Sequence, residues 1–263
     1  MTFHFDISNV APYINWAYFY FAWQVKDEDG RQRLRSEGEQ MLKSLEGRYR
    51  THALFRLCDA HSEDDNIVLA DGTPIPCLRQ QTGAQCLCLA DFIAPDGRSA
   101  VTSRIGLFAT TVDRGMETDF DDDPYLKMMA QLLADRLAEA TAECLHERVR
   151  KTLWGYAPCE QLSIADLHQE HFQGIRPAVG YPSLPDASLN FLLDHLLDFG
   201  QIGITLTESG AMRPHASVSG LMMAHPAARY FSVGRIGDDQ LRDYARRRGM
   251  PVAVVRRFLA ANL

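Results

Sequence analysis

The chain has 263 residues and a formal net charge of −7 at pH 7, with 46% apolar and 23% charged residues. This composition is typical of a soluble globular protein that is long enough to bury a sizeable core. Proteins that bind nucleic acids carry clustered Lys and Arg residues. The negative net charge and the absence of a long basic run therefore argue against a nucleic-acid partner.

The most apolar segment, from Ala11 to Trp23, argues against membrane insertion. It contains Pro12 and Asn15 and falls short of the roughly 20 residues that a transmembrane helix requires. It also lacks the basic region and the cleavage site of a signal peptide. The six cysteines include no C-x-x-C pair, so we expect reduced, packed thiols without a metal site, and a cytoplasmic location.

Residues 7–25 are predicted to form one aromatic-rich helix that begins after a cap at Ser8. Seven aromatic residues fall between positions 13 and 23, which is too many bulky side chains for a surface helix. Core packing explains most of them. Asn15 lies among them, and a polar residue there needs a hydrogen-bond partner. It is the position that core packing leaves unexplained.

The following stretch predicts an amphipathic helix and a small antiparallel sheet. Apolar residues at helical spacing indicate the helix over 31–48. An apolar run that leads into Asp71-Gly72 indicates a β-hairpin. Further strands are predicted at 85–93 and 101–112, with a turn at Asp96-Gly97 between them.

Helices and strands alternate in groups through the second half of the chain. The longest helix is predicted at 124–152, where three aspartates and then Pro124 favour helix entry. Further helices are predicted at 186–199, 238–247 and 252–260, and strands at 202–207, 216–224 and 229–236. Because the strands come in runs, this order indicates an α+β fold with mostly antiparallel pairing. No repeat or linker interrupts it, so we expect one domain over 1–263.

The stretch Gly174-Ile-Arg-Pro-Ala-Val-Gly-Tyr-Pro182 separates two of the predicted helices. Proline cannot continue a helix, and glycine lets a ligand come close to the backbone. Arg176 offers a planar fork of donors suited to a carboxylate. On residue types alone, a turn with a surface arginine is favoured over a ligand clamp. Glu139, on the flank of the long helix, is likewise explained by an ordinary salt bridge.

Longer motifs occur in a fixed order along the chain. They include Leu132-Leu-Ala-Asp-Arg-Leu-Ala-Glu-Ala140, the stretch 173–182, Leu206-Thr-Glu-Ser209, Ala216-Ser-Val-Ser-Gly220 and Asp243-Tyr-Ala-Arg-Arg247. In these motifs the chain resembles the C-terminal activation (reactivation) domain of cobalamin-dependent methionine synthase, which binds S-adenosylmethionine. The resemblance covers essentially the whole chain and is weaker over residues 25–80.

The resemblance implies a C-shaped single α+β domain with a twisted, mostly antiparallel sheet flanked by helices. In the family, this domain brings S-adenosylmethionine to cobalamin that has oxidised to cob(II)alamin, while flavodoxin or a flavoprotein reductase supplies an electron. Methylcobalamin is thereby regenerated for methionine biosynthesis. The chain lacks the D-x-H-x-x-G motif that binds cobalamin. We therefore expect a reactivation subunit, not catalytic alone, that acts in trans on a split methionine synthase or another corrinoid protein.

The resemblance also implies which residues form the site, without a catalytic residue among them. An S-adenosylmethionine-binding set is implied at Asn15, Arg176, Ala178, Gly180, Tyr181, Tyr230 and Phe231. Acidic residues near the ligand or the cobalamin interface are implied at Glu139 and Glu170. Arg176 would pair with the ligand carboxylate, and aromatic faces would hold the cationic sulfur.

Asn15 departs from the family, which has an aspartate at this position. Aspartate can neutralise the ligand's amino group, whereas asparagine forms only a neutral hydrogen bond, so weaker binding is expected. The run Pro182–Asn190 departs as well. A second hypothesis therefore stays open, a docking or chaperone module for a corrinoid methyltransferase that works without S-adenosylmethionine. A Rossmann-type methyltransferase would need a glycine-rich loop after an early strand, and the sequence has none.

Overall fold

The computed structural model describes residues 1–95, 99 and 101–263 and shows an α+β fold around a curled antiparallel sheet. The strands in this part of the chain are β1 (Thr2–Asp6), β2 (Arg50–Glu63), β3 (Asn66–Leu69), β4 (Pro74–Pro76), β5 (Arg104–Val112), β6 (Thr205–Leu206), β7 (Met212–Arg213) and β8 (Ser217–Met222). The main sheet has the order β4-β3-β2-β5-β8, and β1 pairs with the first residues of β2. Strands β6 and β7 pair separately.

Helices cover the sheet. They are α1 (Ile7–Val10), α2 (Trp16–Ala22), α3 (Glu28–Leu45), α4 (Gly115–Thr118), α5 (Pro124–Arg148), α6 (Ile164–His168), α7 (Leu189–Leu197), α8 (Asp238–Arg248) and α9 (Val252–Phe258). Successive side chains of a strand point to opposite faces. Accordingly, Phe108 of β5 packs into the core under α5, whereas Leu107 and Ala109 pack into a second core that contains residues of α7. The expected fold, a twisted antiparallel sheet flanked by helices, is confirmed.

The predicted helix over 7–25 is wrong in its continuity. Helix α1 passes into a 3₁₀ turn over Ala11–Tyr13, and extended backbone at Ile14 and Asn15 separates it from α2. The cap of α2 is Asn15, whose Oδ1 accepts a hydrogen bond from the Ala17 amide at 3.1 Å. Ser8 instead binds the Glu46 carboxylate through its amide and its hydroxyl.

Two predicted strands are also wrong. Within 85–93, the Asp91 carboxylate accepts from the Cys88 amide and closes a 3₁₀ turn over Leu89–Phe92. The segment 229–236 is irregular, because its amides bond to loops: that of Val233 donates to Pro182. The predicted turn at Asp96-Gly97 lies outside the described residues.

The remaining predicted elements are found with shifted ends, and β1 was not predicted. The longest helix ends at Arg148 and continues as a π-helical turn over Val149–Leu153. Among the described residues, no helix combines the length and the apolar character needed to cross a bilayer.

Candidate functional site

A pocket of about 620 Å³ opens between α5, the Tyr13–Asn15 turn, the segment 174–182 and residues Tyr230 and Phe231. Its volume falls within the range of roughly 300–1,000 Å³ that small-molecule sites occupy. Eight of the nine site residues implied by the sequence line it: Asn15, Glu139, Glu170, Arg176, Ala178, Tyr181, Tyr230 and Phe231. Gly180, the ninth, is not part of the lining.

The segment 174–182 reaches the pocket because it runs along β8. Ile175 exchanges backbone hydrogen bonds with Met223 at 2.9 Å in both directions, and Ala178 pairs with Gly220. Gly174 has a φ of 85°, and a Cβ there would lie 2.2 Å from the Met223 carbonyl oxygen. Only glycine fits such a close approach. The segment is thus joined to the edge of the sheet by two bridges, at Ile175 and Ala178, and is not the free surface turn that its composition favours.

Arg176 is fixed at both ends. Its amide donates to the Tyr230 hydroxyl at 3.0 Å, and its Nη1 donates to Oε2 of Glu143 at 2.8 Å. The side chain is only 17% exposed. Burial alone would lower the pKa of this guanidinium, but Glu143, Tyr230 and Glu139 outweigh burial and raise the pKa above its ordinary value. Arg176 therefore carries a permanent positive charge into the pocket.

Tyr181 and Gly180 form the turn that follows Arg176. The Gly180 amide donates to the Leu184 carbonyl at 2.9 Å, with Gly180 at a φ of 87°. The Tyr181 hydroxyl donates to Oε1 of Glu139 at 2.6 Å. Glu139 thus accepts a hydrogen bond from a tyrosine, where the sequence alone suggested a salt bridge. Gly180 shapes the turn and does not line the pocket.

Asn15 lies in the pocket wall, and its amide has a fixed orientation. Oδ1 is the atom that caps α2, because the Ala17 amide needs an acceptor. The Nδ2 group is therefore the end of the side chain that remains for a ligand. As a donor, it suits a ligand oxygen or ring nitrogen and cannot neutralise an ammonium group.

Glu170 adds a third carboxylate to the pocket lining, beside Glu139 and Glu143. Partial burial raises the pKa of Glu170, nearby Arg176 opposes the rise, and Glu143 adds to it. Glu170 has a φ of 60°, in the left-handed region that non-glycine residues adopt at some cost. This backbone holds it directly after α6 and its end cap Gln169, beside the pocket.

Several lining residues were not identified from the sequence. Glu143 is the most important of these, because it holds Arg176; its position four residues after Glu139 was the available signal. Tyr13, Tyr18 and Arg136 also line the pocket, and the Arg136 guanidinium lies 5.6 Å from the centre of the Tyr18 ring. Tyr13 and Tyr18 belong to the aromatic segment, whose bulky residues were assigned mainly to the core.

A buried polar cluster lies at the far end of α5, away from the pocket lining. Arg150 is fully buried, and its Nε and Nη2 contact both oxygens of Glu160 at 2.8–3.0 Å. The guanidinium also lies 4.3 Å from the centre of the Phe172 ring. His146 is fully buried beside it, with Nε2 3.3 Å from the Tyr156 hydroxyl. Burial, with Arg150 and Arg176 nearby, holds the pKa of His146 well below its ordinary value.

The pocket as a whole can hold a ligand with charges of both signs. Three glutamates and two arginines line it within the described part of the chain, which gives its walls a net charge of −1. Tyrosine and phenylalanine rings form much of the remaining wall. Arginine forks bind carboxylates, and aromatic faces attract cations. A compact zwitterion with an additional positive charge matches this arrangement.

Comparisons with known proteins agree with the fold. Residues 6–249 match the family model described as "Vitamin B12 dependent methionine synthase, activation domain". The structure is also similar to a crystal structure of the MetH reactivation domain bound to AdoHcy, with a TM-score of 0.94 and 38% sequence identity. That match covers 100% of this chain and 90% of the other. This chain therefore belongs to the family of activation domains of vitamin B12-dependent methionine synthase.

Proposed function

We propose that this chain binds S-adenosylmethionine in the pocket beside α5 and presents its methyl group to a cobalamin carried by a partner, which reactivates a methionine synthase. The finer form of the proposal is that it acts in trans, on a split synthase. The single observation that carries the proposal is that Arg176 and seven other residues implied by the resemblance line one pocket.

The charges of the ligand and of the pocket are complementary. S-adenosylmethionine carries a carboxylate, an ammonium and a sulfonium, so it has one net positive charge. The pocket walls carry a net charge of −1 from three glutamates and two arginines. Arg176 would hold the carboxylate, and the rings of Tyr230 and Phe231 would face the cationic part. AdoHcy bound to the similar MetH domain supports a ligand of this class.

The rim of the pocket leaves room for a partner to approach. Tyr18 is 61% exposed and Tyr181 is 51% exposed, and both line the pocket. A corrinoid carried by the partner, once reduced by one electron from flavodoxin or a flavoprotein reductase, would supply the nucleophile for the methyl group, and AdoHcy would be the product left in the pocket. The role of this chain's residues is to bind and orient the sulfonium ligand at an accessible edge.

Calorimetric titration with S-adenosylmethionine and AdoHcy tests the proposal. We expect saturable binding to the native protein and a loss of about 30-fold or more in affinity in Arg176→Ala, because about 2 kcal/mol is the lower end of the cost of removing one partner of a buried charge pair. Arg256→Ala removes an exposed arginine of α9 that pairs with Asp238 and serves as the control.

The outcomes separate the two hypotheses for this chain. No heat at millimolar ligand from the native protein would contradict the proposal. If a corrinoid methyltransferase were then still captured without ligand, and equally well by Arg176→Ala, the docking or chaperone module would be supported instead. Full reactivation in an assay with the purified corrinoid protein, an electron donor and this chain would support action in trans.

A further inference from the structure

Helix α5 carries three glutamates at intervals of one turn, and two of them, Glu139 and Glu143, line the pocket. Glu139 accepts from the Tyr181 hydroxyl at 2.6 Å and Glu143 from Arg176 at 2.8 Å. Glu147 accepts from the Tyr13 hydroxyl, also at 2.6 Å. Residues four apart lie on one face of a helix, so the three carboxylates form a single row. The middle glutamate, Glu143, binds Arg176. Within the described chain, Arg176 is the one charged partner of this row that lines the pocket.

The ion pair between Glu143 and Arg176 leaves one carboxylate oxygen of Glu143 without a partner among the described residues. The Glu143 side chain is only 8% exposed, and its Oε1 is buried without a hydrogen-bond partner among the described residues. Leaving a buried carboxylate oxygen unpaired has a free-energy cost. An arrangement that served stability alone would engage both oxygens, as Glu160 does with Arg150. The Glu143 carboxylate is therefore placed so that it orients the Arg176 guanidinium, although one of its own oxygens is left without a hydrogen bond.

The orientation that results is suited to a carboxylate. A guanidinium has five N–H donors in a fixed plane, and Glu143 takes a hydrogen bond from Nη1. In the part of the chain that the structure describes, no other side chain accepts from this group. Its remaining donors therefore stay available on the pocket side. The Tyr230 hydroxyl also holds the Arg176 backbone amide. Arg176 is therefore already ordered before a ligand binds, and binding loses little additional conformational entropy there.

We propose that Glu143 is a positioning residue that holds the Arg176 guanidinium in the orientation that reads the amino-acid carboxylate of the ligand. The inference rests on the proposed function, since it assumes an S-adenosyl ligand in this pocket. Glu143 acts through Arg176 and does not itself contact the carboxylate. Its effect is therefore confined to ligands that carry that group, which distinguishes positioning from general support of the pocket.

The binding test compares AdoHcy with 5′-methylthioadenosine, which keeps the nucleoside and the thioether but lacks the amino-acid part. In Glu143→Gln we expect affinity for AdoHcy to fall about tenfold, the loss of a charge-assisted contact, and affinity for methylthioadenosine to change by less than about twofold. Glu143→Asp, which keeps the charge and shortens the reach, should fall between. Glu160→Gln is the matched control, because Glu160 is also 8% exposed and pairs with a buried arginine.

A ligand-free measurement reports on Arg176 directly. In ¹⁵N spectra of the arginine side chains, with the signal assigned by Arg176→Lys, we expect separate Nη signals in the native protein and in Glu160→Gln. In Glu143→Gln these signals should merge, because the guanidinium then rotates freely.

Equal losses for the two ligands, no loss for either, or Nη signals that do not change in Glu143→Gln would overturn the positioning role. If the native protein binds neither ligand, the proposed function fails, and the side-chain spectra still decide whether Glu143 orients Arg176.

Discussion

The two buried arginine–glutamate pairs at α5 consist of the same residue types but differ in their hydrogen bonds and in their exposure to solvent. In the closed pair, Arg150 is fully buried and two of its nitrogens contact both oxygens of Glu160. In the open pair, Arg176 makes one contact to Glu143, and its side chain is 17% exposed. The closed pair lies outside the pocket lining, whereas both members of the open pair belong to it.

The difference shows what each pair is able to do. In the closed pair both Glu160 oxygens are engaged, although Nη1 of Arg150 is buried without a partner among the described residues, and the pair can stabilise the local fold but offers little to a ligand. An open pair keeps donors free, at the cost of an unpaired carboxylate oxygen. Breaking a buried pair is costly because the surviving charge stays uncompensated. The closed pair should therefore matter most for stability, and the open pair most for binding.

The largest expected effect is on stability, in Glu160→Gln. Removing this charge leaves Arg150 fully buried without compensation, so the free energy of unfolding should fall by about 3 kcal/mol. The same change at Glu143 should cost about 1–2 kcal/mol, since it removes one contact of an arginine that is partly exposed. Urea denaturation followed by circular dichroism measures both.

Binding provides the other half of this comparison. AdoHcy affinity should stay within about twofold of the native value in Glu160→Gln, since neither member of the closed pair lines the pocket. Equal losses of stability in the two variants would remove the distinction between an open and a closed pair.

A smaller effect is expected from His146, which lies next to the closed pair. Its pKa in the folded state is held well below the ordinary value of 6.5, so below pH 6.5 the unfolded chain binds a proton that the folded protein does not. Stability should therefore decrease as the pH falls from 6.5 towards the folded-state pKa. At pH 5.5, one pH unit below the ordinary pKa of the unfolded chain, the contribution is about 1 kcal/mol.

Unfolding curves of the native protein and of His146→Gln at pH 7.5 and 5.5 test this effect. The variant should lose less stability between the two pH values, because it lacks the buried imidazole. His195→Gln, at an exposed position of α7, is the control and should keep the native pH dependence. If the stability of His146→Gln fell with pH as steeply as that of the native protein, His146 would take up a proton in the folded protein as readily as in the unfolded chain. The closed pair would then not keep a proton out of this cluster.

Sequence reasoning predicted the fold where patterns are local. Helices α3, α5, α8 and α9 follow from spacing and end signals, because their side chains repeat on one face over several turns. The strand predicted at 85–93 failed since the Asp91 carboxylate closes a turn on Cys88, which outweighs the preference of that apolar run for a strand. β1 was missed because its five residues form a strand only through pairing with β2.

For the pocket, too, the sequence identified some residues and missed those whose role depends on a partner far away in the sequence. The motif resemblance brought together eight residues that line it, although they are far apart in the sequence. It did not identify Glu143, because the partner of Glu143 is 33 residues away and helical spacing does not say which side chain a glutamate will meet. The backbone role of Asn15 was also missed, since a cap is evident only once the helix start is known.

The smallest expected effect concerns Asn15, another residue of the pocket lining. Its Oδ1 caps α2 and its Nδ2 is left as a donor. In Asn15→Asp the cap is kept, since aspartate caps as well as asparagine, and the second oxygen becomes a charged acceptor. S-adenosylmethionine should then bind about fivefold more tightly, because a charge-assisted bond to the ammonium adds about 1 kcal/mol. Calorimetry at low and high salt measures this gain, and methylthioadenosine, which lacks the ammonium, is the control. Unchanged or weaker binding of S-adenosylmethionine would mean that the ammonium lies elsewhere in the pocket.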